Sequence, residues 1–316
     1  MIIEREENWG MLRYDTLKHH FSYVKTNRNS AIPYAREPVV LNLDLTMKCN
    51  MDCRHCVAKD FKDVKDLDVS SEMIEYINNS PFMVIVITGG EPLLPECENK
   101  LMGLLQEINK KGLIIDTNGT IAPSDSLVKK ILETDTLVRI SWDSYRPQDE
   151  IYFRQVKKKK GEGHNIDLDY YYKKLEMVKY FRSKGINVAV QSVLHKKNIS
   201  SITEMPAVLS ELRIKKWYIQ RYIPSYKVAN DRNLDITTSN YENVVGSLDT
   251  KCHKVNIECI AKKDRRHNSV FLLVGEGALY TQGEKPRQKI PLGSYKNRIS
   301  YFDYVSCSDH CERYYG

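Results

Sequence analysis

A chain of 316 residues with 41% hydrophobic content and no long apolar run excludes a membrane-spanning protein and can hold one sizeable core plus a smaller module. The net charge of +7 divides unevenly: residues 1–150 carry 18 Lys+Arg against 24 Asp+Glu, and residues 151–316 carry 30 against 17. A basic second half suits an anionic substrate or partner (an acidic peptide, a phosphate ester, a nucleic acid), although a solvated Lys-rich surface explains it as well.

Eight cysteines, three of them crowded together, fit reduced thiols or cluster ligands better than a disulfide framework. The stretch Met1–Glu7 lacks the apolar centre of a signal peptide, so a cytoplasmic protein is expected. In chain order, Met11–Tyr14 and His20–Val24 alternate around a turn at Asp15–Lys18 and predict a β-hairpin within an N-terminal extension, residues 1–37. Pro33 and Pro38 bracket a linker.

From residue 38 to 224 an apolar strand, a loop and an amphipathic helix recur. Strands are predicted over Val39–Leu45, Phe82–Thr88, Leu113–Asp116, Leu137–Ser141, Ile186–Leu194 and Lys216–Tyr222. Helices are predicted over Ser70–Asn79, Glu98–Lys111, Ser126–Glu133, Asp169–Lys184 and Ile202–Leu212. Six strands alternating with helices imply an α/β fold with a parallel sheet, either an open doubly wound sheet or a partial barrel. In both, the C-terminal edge of the strands is the functional face. After Pro224 the alternation stops. Residues 225–316 read as a second, α+β module, with a helix near Tyr241–Leu248 and short antiparallel strands over Val255–Ala261, Val270–Val274 and Ala278–Gln282, turning at Gly275-Glu276-Gly277.

The loop leaving the first predicted strand reads Cys49-Asn50-Met51-Asp52-Cys53-Arg54-His55-Cys56. Close-set soft thiolates suit an iron–sulfur cluster, zinc or copper(I). A structural zinc site closes with four ligands, and no matching pair follows nearby, although a partial zinc site or chance buried thiols explain the triplet alone. At the end of the second strand stands Thr88-Gly89-Gly90-Glu91-Pro92-Leu93. Paired glycines let a backbone approach a ligand closely, and a carboxylate can accept from an ammonium group. An ordinary turn is the plainer reading of a lone Gly-Gly.

Together the triplet and the glycine–glycine–glutamate turn resemble the signatures of the radical SAM superfamily over roughly residues 38–222. The resemblance implies a partial (βα)6 barrel, a [4Fe-4S] cluster on Cys49, Cys53 and Cys56, and S-adenosylmethionine bound with its methionine end at Gly89, Gly90 and Glu91 and with His55 as a further cofactor contact. It further implies polar contacts to the nucleoside or carboxylate from Ser141 and Asp143 after the fourth strand, and from Arg154, whose guanidinium suits a carboxylate. Ser192, with Gln191, Gln220 and Arg221, is a candidate for one parity of the fifth and sixth strands. An external electron donor such as flavodoxin or ferredoxin is expected.

The 225–316 module resembles the auxiliary-cluster (SPASM or twitch) domains that follow many such barrels, with one departure. Thr281-Gln282-Gly283 stand where relatives place a cluster cysteine, so a module without a second cluster is expected, and Cys252, Cys259, Cys307 and Cys311 read as reduced thiols. Relatives with such modules mostly modify peptides or proteins, and a peptide or protein substrate is the first expectation. A nucleotide or other phosphorylated small molecule is the alternative, and a zinc- or cluster-containing binding protein the non-enzyme one. A nucleic-acid partner is disfavoured, because basic residues are not interleaved with aromatics.

Overall fold

The computed structural model describes residues 1–26, 37–56, 58–61, 64–157, 166–222, 234–248, 254–259, 270–282 and 289–297. Three N-terminal strands, β1 (Ile2–Glu7), β2 (Gly10–Asp15) and β3 (His20–Lys25), form an antiparallel sheet rather than the two-stranded hairpin the pattern predicts. The charges of β1, Ile2-Ile3-Glu4-Arg5-Glu6-Glu7, hide it from a hydropathy reading. Asp15 Oδ1 closes the β2–β3 turn by accepting from the amides of Leu17 and Lys18.

Six parallel strands follow in sequence order: β4 (Val40–Thr46), β5 (Val84–Gly89), β6 (Gly112–Thr117), β7 (Leu137–Ser141), β8 (Val188–Leu194) and β9 (Lys216–Arg221). Helices α1 (Ser71–Asn79), α2 (Glu98–Glu107), α3 (Asp125–Glu133), α4 (Pro147–Phe153), α5 (Ile166–Ser183), α6 (Ile199–Ile202), α7 (Met205–Glu211) and α8 (Thr238–Gly246) cross between or follow them. The arrangement is the partial barrel expected. Helix α2 stops short of the predicted Lys111, because Ile108 is extended and Lys110 takes a positive φ of 53°. The predicted helix over Ile202–Leu212 is split into α6 and α7, with Pro206 in the first turn of α7. Helix α4 is an addition, opened by Pro147 with Asp149 and Glu150 in its first turn, where a missing donor and negative charge both suit a helix N-terminus.

The late strands are not the all-antiparallel set predicted. β10 (Asn256–Cys259) runs parallel beside β9, and β11 (Val270–Val274) runs parallel beside β4. Only β12 (Ala278–Gln282) and β13 (Lys289–Ser294) continue antiparallel, and the β11–β12 turn falls at Gly275-Glu276-Gly277 as expected. One ten-stranded sheet results, ordered β10-β9-β8-β7-β6-β5-β4-β11-β12-β13.

Strand alternation divides the core in two. Leu41, Leu43, Leu45, Ile85, Ile87, Ile115, Val138, Val190 and Ile219 pack against the helices. Val84, Val86, Ile114, Ala189 and Tyr218 face inward and meet Trp9, Leu12 and Tyr14, so the N-terminal sheet plugs the barrel floor. Arg5 ties the plug down by donating to the carbonyls of Pro38, Pro81 and Glu37 at 2.8, 2.8 and 3.0 Å. No helix among the described residues is long and apolar enough to cross a membrane.

His19 lies in the β2–β3 turn of this plug. It is buried, its Nδ1 lies 3.1 Å from Tyr14 Oη, and Lys216 donates to its carbonyl. Burial, aided by the Lys216 charge, pushes the imidazole down to about 4. An unfolded imidazole titrates near 6.5, so between those values the folded protein holds fewer protons than the unfolded chain. Stability is therefore lost as pH falls from about 6.5 towards 4. Denaturant titrations across that range should show His19→Gln losing about 1–3 kcal/mol less than the parent protein.

Candidate functional site

The C-terminal end of β4 runs directly into the cysteine loop, which is held by backbone on two sides. On one side the glycine turn after β5 donates to it: Gly90 N to Thr46 O at 2.5 Å and Glu91 N to Lys48 O at 2.8 Å. On the other side the segment after α4 pairs with it antiparallel at Met51 and Val156. There Asp52 N reaches Gln155 O (2.7 Å), Arg54 N reaches Phe153 O (2.8 Å), and Lys157 N reaches Asn50 O (3.0 Å). Both glycines are sterically required. A Cβ on Gly90 would lie 1.9 Å from Lys48 O, and one on Gly89 2.3 Å from Thr46 O, with Gly89 also at φ 121°. The glycine pair thus approaches the cysteine loop itself.

Cys49, Cys53 and Cys56 are each half-buried on this loop, and Cys49 and Cys56 line a cavity of about 730 Å³ shared with Met47, Met51 and Gly90. Burial pushes the Cys49 thiol up to about 12 and the Cys53 thiol to about 11, the latter partly relieved by the Arg154 charge. Such thiols ionise only against a strong local cation, which a metal centre supplies. Among the described residues no three His, Cys, Asp or Glu side chains are grouped to hold a single metal ion. Three thiols on one loop are a soft donor set of the kind that would hold an iron–sulfur cluster.

Glu91 does not face the cavity. Fully buried, it turns beneath the glycine turn and accepts from Leu93 N (3.0 Å), Thr117 Oγ1 (2.7 Å) and Asn118 N (2.8 Å). Burial raises its pKa to about 7 against these donors. The carboxylate joins the end of β5 to the end of β6. In this structure the Glu91 side chain thus serves as an internal brace of the turn.

Asp143 and Arg154 come together, but on each other. Arg154 Nε lies 2.8 Å from Asp143 Oδ2, and its Nη2 donates to Asp143 Oδ1 at 3.1 Å. Val193 N donates to the same Oδ1 at 2.8 Å, and His55 Nε2 stands 3.6 Å from Oδ2. Burial opposes the Asp143 charge, yet Arg154 and then His55 hold its carboxyl below the usual range. Behind this pair, Glu150 accepts from the amides of Asp143 (2.7 Å) and Ser144 (2.9 Å) and from buried Lys174. Arg154 is thus paired with Asp143 in this structure. His55 packs on Phe153 at a centroid distance of 5.5 Å.

Ser141 ends β7, half-buried, on the inward face that also carries Arg139. Gln191 shares the inward face of β8 with Ala189, and its Oε1 is buried without a hydrogen-bond partner among the described residues. Ser192 lies on the opposite face, donating to Trp142 O and accepting from Trp217 Nε1 at 2.8 Å, so it packs the helix layer and does not reach the barrel mouth. Arg221 also turns outward, to Ile236 O. Thr117 and Asn118, at the C-terminal end of β6, are part of the site's framework. Their signal was a polar pair at a strand's C-terminal edge. Cys252, Cys307 and Cys311 lie outside the described residues, as does the Cys259 side chain.

Residues 43–205 match the sequence model of the Radical SAM superfamily. The chain is 28% identical over 239 residues to an S-adenosylmethionine-dependent nucleotide dehydratase of Lacinutrix mariniflava, covering 72% of this chain and 46% of that one. It is 24% identical over 186 residues to an Fe-coproporphyrin III synthase of Methanosarcina barkeri, covering 57% and 43%. The chain thus spans under half the length of these two relatives. Its fold resembles that of Streptococcus suis SuiB bound to S-adenosylmethionine, with a TM-score of 0.65 at 12% identity, covering 88% and 80% of the two chains.

The backbone contact at the glycine turn makes a sharp expectation. Gly90→Ala should cost about 1–3 kcal/mol, because a rigid carbonyl stands in the way. Gly103→Ala, in mid-α2 with nothing within 4 Å of its Cβ, should instead gain about 0.5–1 kcal/mol. Thermal unfolding of the two variants, with opposite signs of change, checks the assignment.

Proposed function

The chain belongs to the radical SAM superfamily, and from that premise we propose that it reductively cleaves S-adenosylmethionine at a [4Fe-4S] cluster held by Cys49, Cys53 and Cys56. The observation that carries the reading is the backbone lock between the cysteine loop and the Gly89–Gly90 turn, which brings the two signatures into contact around one cavity. When bound, the cluster and S-adenosylmethionine supply one-electron cleavage to methionine and a 5′-deoxyadenosyl radical that takes a hydrogen atom from substrate.

The chain's own residues do the rest. Three thiols would hold the cluster and leave one iron without a protein ligand. The Arg154 guanidinium, locked on Asp143, supplies positive charge beside Cys53 and favours its thiolate. The glycine turn offers an edge without side chains to the methionine end of S-adenosylmethionine. The plugged barrel floor shields that end of the barrel from water, which helps a reactive radical to meet substrate first. Ser141 and Gln191, on the inward faces of β7 and β8, are proposed to contact the nucleoside or the substrate. An external donor such as flavodoxin or ferredoxin would supply the electron.

For the substrate, the cavity wall favours an anion. Lys48, Lys59, Lys65 and Lys157 line it against only Asp52 and Asp66. Lys59 is paired with Asp52 at 2.7 Å, Lys48 with Asp66 at 3.8 Å and Lys65 with Glu276 at 2.6 Å, which leaves Lys157 as the wall lysine without an ion-pair partner among the described residues. We therefore place a nucleotide or other phosphorylated small molecule ahead of a peptide. The curated match to a nucleotide dehydratase points the same way. A peptide substrate remains the second reading, in keeping with the solved SuiB complex with its precursor peptide.

Anaerobic reconstitution should give a brown protein that releases 5′-deoxyadenosine and methionine with dithionite and S-adenosylmethionine. Cys53→Ala should abolish both colour and release, whereas a colourless protein with one tightly bound zinc would overturn the proposal. Calorimetry with a nucleoside triphosphate should show Lys157→Ala weakening binding roughly two- to tenfold. Equal or tighter binding of an uncharged peptide would favour the second reading.

A further inference from the structure

Asn118, the residue after β6, is fixed at both ends. Its backbone N–H donates to buried Glu91 Oε2 at 2.8 Å. Its side-chain Oδ1 accepts from Thr120 N at 2.9 Å and Thr120 Oγ1 at 2.6 Å. A flipped amide would turn its NH2 against the Thr120 N–H, so the network fixes which end is nitrogen. The two hydrogens on Nδ2 then have separate acceptors: Asn50 Oδ1 at 2.8 Å and Cys49 Sγ at 3.9 Å, a long contact suited to the larger sulfur. Asn50 closes the ring by donating from Nδ2 to Thr120 Oγ1 at 2.9 Å.

Cys49 Sγ also accepts from Met51 N at 3.3 Å. Among the described residues no N–H is recorded against the sulfur of Cys53 or Cys56. The three thiols are thus unequal: Cys49 receives both a loop amide and a side-chain amide, the latter delivered from a different strand. Hydrogen bonds to cluster sulfurs stabilise the more negative, reduced state and raise the reduction potential, and they orient the ligand.

We infer that Asn118 is a positioning residue for Cys49, donating a side-chain N–H to its sulfur and thereby raising the potential at which the cluster accepts an electron. The inference rests on the proposed ligation by Cys49 and adds a residue outside both sequence signatures. Through Glu91, it also couples the β5 turn to the electronic state of the ligand on the loop, since one carboxylate braces the turn and anchors Asn118.

The test is an EPR-monitored redox titration of the anaerobically reconstituted protein without substrate. Asn118→Ala removes the donor, Asn118→Ser is too short to reach the sulfur, and Asn118→Asp places a charged acceptor there. The midpoint potential should shift negative in Ala and Ser by similar amounts and further negative in Asp, with iron content unchanged in the first two. Potentials of Asn118→Ala and Asn118→Ser equal to that of the parent protein would overturn the inference. Loss of iron from all three variants beside a loaded parent would also overturn it, in favour of a residue that only holds the loop together. A parent protein that binds no iron would refute the cluster ligation itself, a separate result.

Discussion

The contact on which the site depends is between main chains. The cysteine loop has no regular structure of its own, and its shape comes from amides donated by the glycine turn and from the short ladder with residues 153–157. Backbone hydrogen bonds fix position without asking anything of the side chains, which leaves three cysteines free for chemistry. The condition is that nothing larger than hydrogen sits on Gly89 or Gly90. One face of the loop is therefore specified by absence of side chain, the other by the conformation of the segment leaving α4.

That segment has its own support. Arg154 closes on Asp143, Glu150 caps the amides of Asp143 and Ser144, and Lys174 reaches Glu150 from α5. Two acids and two bases balance in a fully buried cluster, with His55 at its edge. Breaking such a cluster by removing one partner is far more costly than replacing it whole, because an uncompensated charge is left in a low dielectric. Its place is informative, since it lies between the α4–α5 pair and the cysteine loop. The network fixes the ladder strand, and the ladder strand fixes the loop.

The barrel strands and the cysteine and glycine signatures were legible because periodicity and spacing are local properties of sequence. What sequence misplaced depended on parity or on partners far along the chain. Ser192 and Gln191 are adjacent, and only packing decides that the serine faces Trp217 while the glutamine faces inward. Glu91 and Arg154 carry the charges their motif roles need, but their partners within the fold, Thr117 and Asn118 for the first and Asp143 for the second, could not be read from local sequence. Helix α4 escaped notice because it has only seven residues, too few for a periodic signal. β10 and β11 read as an antiparallel set because short apolar runs do not announce which neighbour they will join.

The way the late strands join the sheet sets an order of events for a growing chain. Val270 of β11 pairs with Val40 of β4, some 230 residues earlier. Until β11 is made, the outer edge of β4 stays bare, and β4 is the strand that feeds the cysteine loop. Closing so long a loop is slow, and an uncovered parallel edge invites pairing with other chains in the interval. The last strands thus act late in assembly as a seal, and a shortened chain ending before residue 270 would leave β4, the strand nearest the site, as its most adhesive surface.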